Sequence, residues 1–163
     1  MEAALLIKKE LVHLNMQAAN QKDLFKQMFR QALHLGYVKS SFLKGVMERE
    51  AVFPTGLKLN NYSIAIPHTD PEHVVEQFIG IAILDTPVSF ALMDDHSKTT
   101  DVKLVFLLGL NQPHSQLEIL QELMQVIQME ENLERLLTAS DCEQIKFVFE
   151  SIHIQEKQEV KKE

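Results

Sequence analysis

The 163-residue chain has a single cysteine, Cys142, and only five glycines. One thiol cannot form an internal disulfide, and it excludes a cluster of cysteine thiolates around a metal ion. The motifs G-x-x-x-x-G-K-S/T, G-x-G-x-x-G and G-x-S-x-G are also missing. The first two hold nucleotide phosphates and the third presents a nucleophilic serine, so a nucleotide-dependent kinase is disfavoured.

Long apolar runs and concentrated positive charge are missing as well. No stretch approaches the roughly 20 consecutive apolar residues of a membrane helix, and the start of the chain, MEAALLIKK, does not resemble a secretory signal. The formal charge is -7, with Lys and Arg scattered except at the C-terminus. Binding to a phosphate backbone requires a concentrated basic face, so nucleic acid is not an expected partner. We expect a soluble cytoplasmic protein without direct membrane insertion.

What the chain does have is enough apolar material for one core, since 45% of its residues are hydrophobic. Apolar residues three and four positions apart predict a helix over residues 23–38, which Asn20 or Asp23 would cap. A second helix is predicted from Ser41 to about residue 51, before the turn Pro54-Thr55-Gly56. Two later helices begin at capping-box patterns, residues 115–118 and 140–143.

Strands are predicted between these helices. Residues 78–84 and 102–110 are nearly unbroken apolar runs, typical of strands that are covered on both faces. A shorter strand over residues 62–66 ends with Pro67 at a sheet edge, and residues 88–90 form another candidate. We therefore predict an α/β fold, with one domain over residues 1–155, a small mixed β-sheet flanked by helices on both faces, and a fraying polar tail over residues 156–163.

Among seven histidines, His68 follows a strand and its terminating proline. Pro67 has a fixed φ and restricts Ile66 to extended geometry, so the loop is stiff and His68 projects beyond the sheet. Such an imidazole can keep one nitrogen free for nucleophilic attack while the other is held by a hydrogen bond. The alternative is an ordinary polar loop residue.

His114 precedes the predicted capping box at Ser115, which places its ring near a helix N-terminus, where backbone N–H groups favour anions. It is equally consistent with a residue that closes the loop 111–113. Arg49 is a candidate anion partner or a surface charge. With His68, Asp70 and His73 form a possible zinc set, although Asp70-Pro71-Glu72 also fits an N-cap, N1 proline and first-turn acid.

The remaining histidines have weaker patterns. His13, His34 and His153 fall within predicted helices, and His96 lies in a polar turn, residues 94–98. We expect none of these four to have a functional role.

Arg49 to Leu57 (REAVFPTGL), followed by Ile64 to His68 (IAIPH), resembles the signature of the type 2, mannitol/fructose-type enzyme IIA family of the phosphoenolpyruvate-dependent sugar phosphotransferase system. The segment PVSF at residues 87–90, the strand at 105–108 and the helix that begins at His114 follow in the order of that family. The resemblance covers about residues 24–152. The segment REAVFPTG is closest to galactitol-type members, although these often lack a histidine at the position of His114.

The resemblance implies a mechanism. His68 matches the histidine that accepts a phosphoryl group on Nε2 from the phosphocarrier protein HPr, as a tele-phosphohistidine, and passes it to a cysteine of a IIB component. Arg49 matches an arginine near that site, and His114 matches a second histidine that helps to bind the phosphoryl group. A IIC membrane component is an indirect partner, and neither a metal nor another cofactor is implied.

Two alternatives stay open at this point. A IIA-like regulatory protein, whose phosphorylation controls partner binding, would use the same histidine. A metal hydrolase would use His68, Asp70 and His73 and would contain zinc.

Overall fold

The computed structural model describes residues 2–162, with the side chains of residues 2–152. Its sheet has the spatial order β1-β4-β5-β3-β2. The strands are β1 (Ile7–Met16), β2 (Gly56–Leu59), β3 (Tyr62–Ala65), β4 (Phe78–Ala91) and β5 (Thr99–Gly109). The helices are α1 (Gln21–His34), α2 (Phe42–Val52), α3 (Pro113–Ile127), α4 (Glu130–Leu137) and α5 (Cys142–Lys162).

The sheet is mixed, as predicted. β1 pairs with β4 and β3 with β5 in parallel, whereas β4 with β5 and β2 with β3 are antiparallel. The predicted α/β class is therefore confirmed. None of the helices within residues 2–162 meets the length and hydrophobicity that a bilayer span requires.

Two apolar layers enclose the central strands, which explains why their sequences are unbroken apolar runs. Successive side chains of a strand point to opposite faces. On β4, Ile79 and Ile81 pack with α3, α4 and α5, while Phe78 and Ala82 pack with α1 and α2. Both faces of β4 over residues 78–84 and of β5 over residues 104–109 are thus buried under helices, as the sequence indicated.

The predicted strand at residues 88–90 is not separate. It is the second half of β4, which pairs with β5 on both sides of a register shift between Ile83 and Val88. Pro87 lies within that irregularity, where a missing N–H costs no ladder hydrogen bond. The predicted strand at 62–66 corresponds to β3, but its predicted position at a sheet edge is wrong, because β2 and β5 flank it as far as Ala65.

The predicted helix around His13 is wrong, because this segment is the edge strand β1. Its ten residues pair in parallel with β4, for example His13 with Ala82. That partner lies far away in sequence, so local periodicity does not reveal it. His13 is partly buried, and burial lowers its pKa.

Helix boundaries follow the capping chemistry closely. Asn20 caps α1 by accepting from the N–H of Asp23 at 2.9 Å, and Gly36 ends it with φ of +80°. The capping box at Ser115 is not formed, because α3 starts earlier, with Pro113 in its first turn. At α5 the acceptor is Asp141, one residue after the predicted Ser140, and it accepts from the N–H of Gln144 at 2.9 Å.

Strand β2 and helix α4 were not predicted. The polar tail, residues 156–163, and His153 have side chains outside the described residues. The domain boundary at residue 155 remains a prediction.

Candidate functional site

His68 has a backbone that is attached to the centre of the sheet. Beyond Ala65 the chain leaves β2 but continues beside β5, where the N–H of Leu108 donates to the carbonyl of Pro67 at 3.0 Å. An isolated parallel bridge pairs His68 with Leu108, and Pro67 is buried. The position of the histidine is therefore set by the central strand β5, and its backbone does not project beyond the sheet as predicted, because it still pairs with Leu108.

The imidazole of His68 has one nitrogen held and one available. Nδ1 lies 2.9 Å from the carbonyl oxygen of Ile66. A carbonyl only accepts, so Nδ1 carries the proton and donates, which leaves the lone pair on Nε2. The ring is partly buried, and burial lowers the pKa of His68, an effect that the nearby Arg49 charge reinforces. The bond to Ile66 and the Asp70 carboxylate oppose that lowering of the pKa.

Arg49 lies on α2 with spare hydrogen-bonding capacity. Its Nη1 is 3.6 Å from Oδ1 of Asp70, and its guanidinium lies over the ring of Phe53, 5.4 Å from the centroid. Its Nε is buried without a hydrogen-bond partner. A guanidinium has five N–H donors, so Arg49 can bind a further anion. The structure thus brings Arg49, His68 and Asp70 together.

The residues that follow Arg49 fix the end of α2. The buried carboxylate of Glu50 accepts from the N–H of Thr55 at 2.8 Å and from its Oγ1 at 2.9 Å. Burial raises the pKa of Glu50, and the two bonds from Thr55 oppose the rise. A Cβ on Gly56 would lie 2.6 Å from the carbonyl oxygen of Ala91. The segment REAVFPTG therefore combines one candidate site residue, Arg49, with residues that hold the turn.

His114 lies in the first turn of α3, exposed to solvent. The prediction that it lies near a helix N-terminus is confirmed, although the helix starts one residue before it instead of one residue after. Among the described side chains, no hydrogen bond or ion pair joins His114 to His68. Both residues lie at the same end of the sheet, because residues 109–112 lead from the partner of His68 on β5 directly into α3.

Three of the other histidines lie in turns or at the end of a helix. His73 ends a 3-10 turn, Pro71–His73, which Asp70 precedes as predicted. Its Nδ1 shares a hydrogen bond of 2.7 Å with Ser41 Oγ. His34 is the last residue of α1, and His96 is exposed in a turn.

A zinc site formed by His68, Asp70 and His73 is not assembled. The described residues contain no group of three or more His, Cys, Asp or Glu side chains arranged to hold a metal ion. Nδ1 of His68 and Nδ1 of His73 are both engaged in hydrogen bonds. The metal-hydrolase alternative therefore has no geometric support in the described part of the chain.

A neutral imidazole with a free Nε2 and a guanidinium with unused donors are what phosphoryl transfer to a histidine requires. The nitrogen supplies the nucleophile, and the guanidinium binds the phosphoryl oxygens while staying charged. The fold is that of an α/β protein, and this pair of side chains has the chemistry that suits phosphoryl transfer.

Residues 5–152 match the family described as the phosphoenolpyruvate-dependent sugar phosphotransferase system, EIIA 2, and the chain belongs to that family. It is 28% identical over 124 residues to the galactitol-specific EIIA component of Escherichia coli K12, covering 76% of this chain and 82% of that one. It is also 28% identical over 150 residues to the mannitol-specific enzyme IIA component of Bacillus subtilis, covering 91% and 99%.

A solved structure has the same fold. In the complex of enzyme IIAMTL and phosphorylated enzyme IIBMTL from Escherichia coli, the matching chain superimposes with a TM-score of 0.70 at 19% identity, covering 89% of this chain and 97% of that one. Family membership supports a phosphoryl-transfer role as a IIA component. The equal identities to galactitol and mannitol proteins do not single out a sugar.

Proposed function

We propose that this protein is the phosphoryl-carrier IIA component of a sugar phosphotransferase system, with His68 as the phosphorylated residue. The observation that carries the proposal is the fixed orientation of the His68 ring. Nδ1 donates to Ile66, so Nε2 alone is free, and it lies in the electrostatic field of Arg49. Cytoplasmic location follows from the proposed exchange with soluble partners.

The proposed reaction has two transfers. The lone pair of Nε2 attacks the phosphorus of phospho-HPr, the P–N bond of the donor breaks, and the donor nitrogen keeps that electron pair. A thiolate of a IIB cysteine then attacks the same phosphorus, and the bonding pair returns to Nε2 of His68. Because the bond to Ile66 holds Nδ1 as a donor throughout, the same nitrogen accepts and releases the group.

Arg49 and His114 are the proposed donors to the phosphoryl oxygens. Arg49 would exchange its 3.6 Å contact with Asp70 for the stronger charge-assisted bonds that a phosphoryl group offers. His114 would contribute from the first turn of α3, together with the positive end of that helix. The exposed Val52 and Phe53, with 59% and 60% of their surface accessible, would contact partner proteins beside Arg49.

The partners are proposed by analogy with the homologues. The solved complex of enzyme IIAMTL with phosphorylated enzyme IIBMTL supports a IIB component as the acceptor. We propose HPr as the donor, the IIC membrane component as an indirect partner, and galactitol or a related sugar or polyol as the transported substrate.

The test is phosphorylation with phosphoenolpyruvate, enzyme I and HPr. We expect one acid-labile phosphate per chain, absent in His68→Ala and retained in His96→Ala, which removes an exposed histidine from a distant turn. Stable labelling of His68→Ala would refute the assignment. Supplying IIB and IIC of galactitol or mannitol systems then identifies the sugar by the product formed. Retention of the label with every IIB, together with phosphorylation-dependent binding of another protein, would favour the regulatory alternative.

A further inference from the structure

One face of α2 lies along the loop that contains the phosphorylated histidine. Ser41, Gly45 and Arg49 are spaced by four residues and therefore lie on the same side of the helix. Arg49 contacts Asp70 near the start of the loop, and Ser41 contacts His73 at its other end.

Gly45, at the centre of that face, allows a very close approach. A Cβ at this position would lie 2.6 Å from Oγ1 of Thr69 and 3.0 Å from Cδ2 of His73. Thr69 is only 4% exposed, so it has little freedom to move aside. The glycine has no side chain, and this lets the loop lie directly on the helix between its two polar contacts.

The same loop is attached to the segment that precedes α2. The N–H of Lys39 donates to the carbonyl of His73 at 2.9 Å, and the N–H of Val75 donates to the carbonyl of Tyr37 at 2.9 Å. His73 takes part in both the backbone bond from Lys39 and the side-chain bond with Ser41. Its side chain is 19% exposed, with Nε2 3.5 Å from Oε1 of Glu72.

We propose that the Ser41–His73 hydrogen bond is a positioning device for phosphoryl transfer, which sets the separation between the Arg49 guanidinium and Nε2 of His68. This inference rests on the proposed function. His68 is fixed to β5 through Leu108, whereas Arg49 is fixed to α2, so the two groups belong to different elements. The bond between Ser41 and His73 joins α2 to the loop that continues from His68. Ser41 and His73 are positioning residues because neither contacts the reacting atoms.

The experiment compares Ser41→Ala with a pair of amide variants at His73. In His73→Asn the amide occupies roughly the place of Nδ1 and keeps a partner for Ser41, whereas in His73→Gln it occupies roughly the place of Nε2. Single-turnover transfer from HPr, phosphorylated by enzyme I and phosphoenolpyruvate, is followed for each variant. His96→Ala serves as the control for an unrelated histidine.

We expect Ser41→Ala and His73→Gln to slow transfer by about 10- to 100-fold, the scale of a misplacement near 1 Å. The half-saturating concentration of HPr should not change, and His73→Asn should restore the rate. In an Arg49→Ala background, neither substitution should slow transfer further, because the device acts through Arg49. Wild-type rates in both variants, or equal losses with and without Arg49, would overturn the proposal.

A second readout does not depend on the phosphotransfer partners. Nuclear Overhauser contacts between the Arg49 side chain and the His68 ring are measured in the unphosphorylated protein. We expect them to weaken in Ser41→Ala and His73→Gln and to persist in His73→Asn. If the wild-type protein accepts no phosphate, the proposed function fails, and these contacts alone decide the positioning role: unchanged contacts in Ser41→Ala refute it.

Discussion

Arg49→Ala should slow phosphoryl transfer strongly while it changes the free energy of unfolding only a little. The contacts that Arg49 makes in the unphosphorylated protein stabilise the fold weakly. The ion pair with Asp70 is 3.6 Å long between side chains that are 38% and 66% exposed, and pairs of this kind contribute about 1 kcal/mol or less. The contact with the exposed ring of Phe53 adds about 0.5–1 kcal/mol. The buried Nε without a partner opposes both, since an unpaired buried donor is costly. We expect the free energy of unfolding to change by roughly 1 kcal/mol.

The rate of phosphoryl transfer should change much more than the free energy of unfolding. A hydrogen bond to a charged group is worth about 1.5–3 kcal/mol, and each 1.4 kcal/mol of lost transition-state stabilisation is about tenfold in rate. Losing the bonds from Arg49 to the phosphoryl oxygens should therefore slow transfer by about 10- to 150-fold. Arg49→Lys should recover only part of this loss, because an ammonium keeps the charge but lacks the planar pair of donors.

The assay follows the initial rate of label uptake from phospho-HPr, alongside chemical denaturation of the same samples. Arg135→Ala is the matched control. Arg135 is similarly exposed and pairs with Glu131 at 2.6 Å on α4, on the other side of the sheet from α2. The reasoning is refuted if Arg49→Ala transfers at the wild-type rate, or if it unfolds far more easily than Arg135→Ala.

Two further predictions concern protonation. Burial lowers the pKa of His68 below 6.5, so between the folded and unfolded values the unfolded chain binds more protons, and the free energy of unfolding should fall as pH drops below about 6.5. His68→Gln should flatten that slope in denaturation curves, and an NMR titration of His68 with a midpoint above 6.5 would contradict the prediction. Thr55→Val removes one hydrogen bond to the buried Glu50 carboxylate and should cost about 1.5–3 kcal/mol. Burial raises the pKa of Glu50, so as pH falls the folded protein protonates Glu50 before the unfolded chain does. The loss in Thr55→Val should therefore be larger at neutral pH than at the acidic pH at which Glu50 is protonated. Thr138→Val, which removes an exposed hydroxyl bonded to the carbonyl of Glu134, is the control, and an equal loss there would contradict the role of Glu50.

Local signals identified the central strands and most of the helices. Residues 78–84 of β4 and 104–109 of β5 are apolar because helices cover both of their faces, and that environment is visible directly in the sequence. The apolar stripe of α1 and its cap at Asn20 are likewise local features. Such elements are predictable because their own residues determine them.

Elements that depend on distant partners were missed. β1 has no strict alternation of burial and is defined by its pairing with β4, whose residues lie about 70 positions further along the chain, as in the pair His13 and Ala82. β2 has only four residues and depends on β3. The start of α3 was placed too late because Pro113, and not Ser115, determines its first turn.

The site was predicted to a similar degree. The sequence segment Ile66-Pro67-His68 indicated an imidazole with one nitrogen held, and the structure shows this bond, to the carbonyl of Ile66. The backbone of His68 pairs with Leu108 instead of projecting beyond the sheet, which depends on β5. The contact between Arg49 and Asp70 depends on how α2 packs against the loop, which no local pattern describes. The buried carboxylate of Glu50 depends in the same way on a turn five residues later.

The hydrogen bond from His68 to Ile66 has a consequence for the order in which partner proteins can bind. With Nδ1 held by the carbonyl of Ile66, Nε2 is the ring nitrogen of His68 that stays available. In the proposed cycle, a donor protein and an acceptor protein both require Nε2 of His68 and cannot reach it together, so each must depart before the next arrives. Tighter binding of either one would then slow the overall flux, and weak, short-lived complexes are the favourable solution.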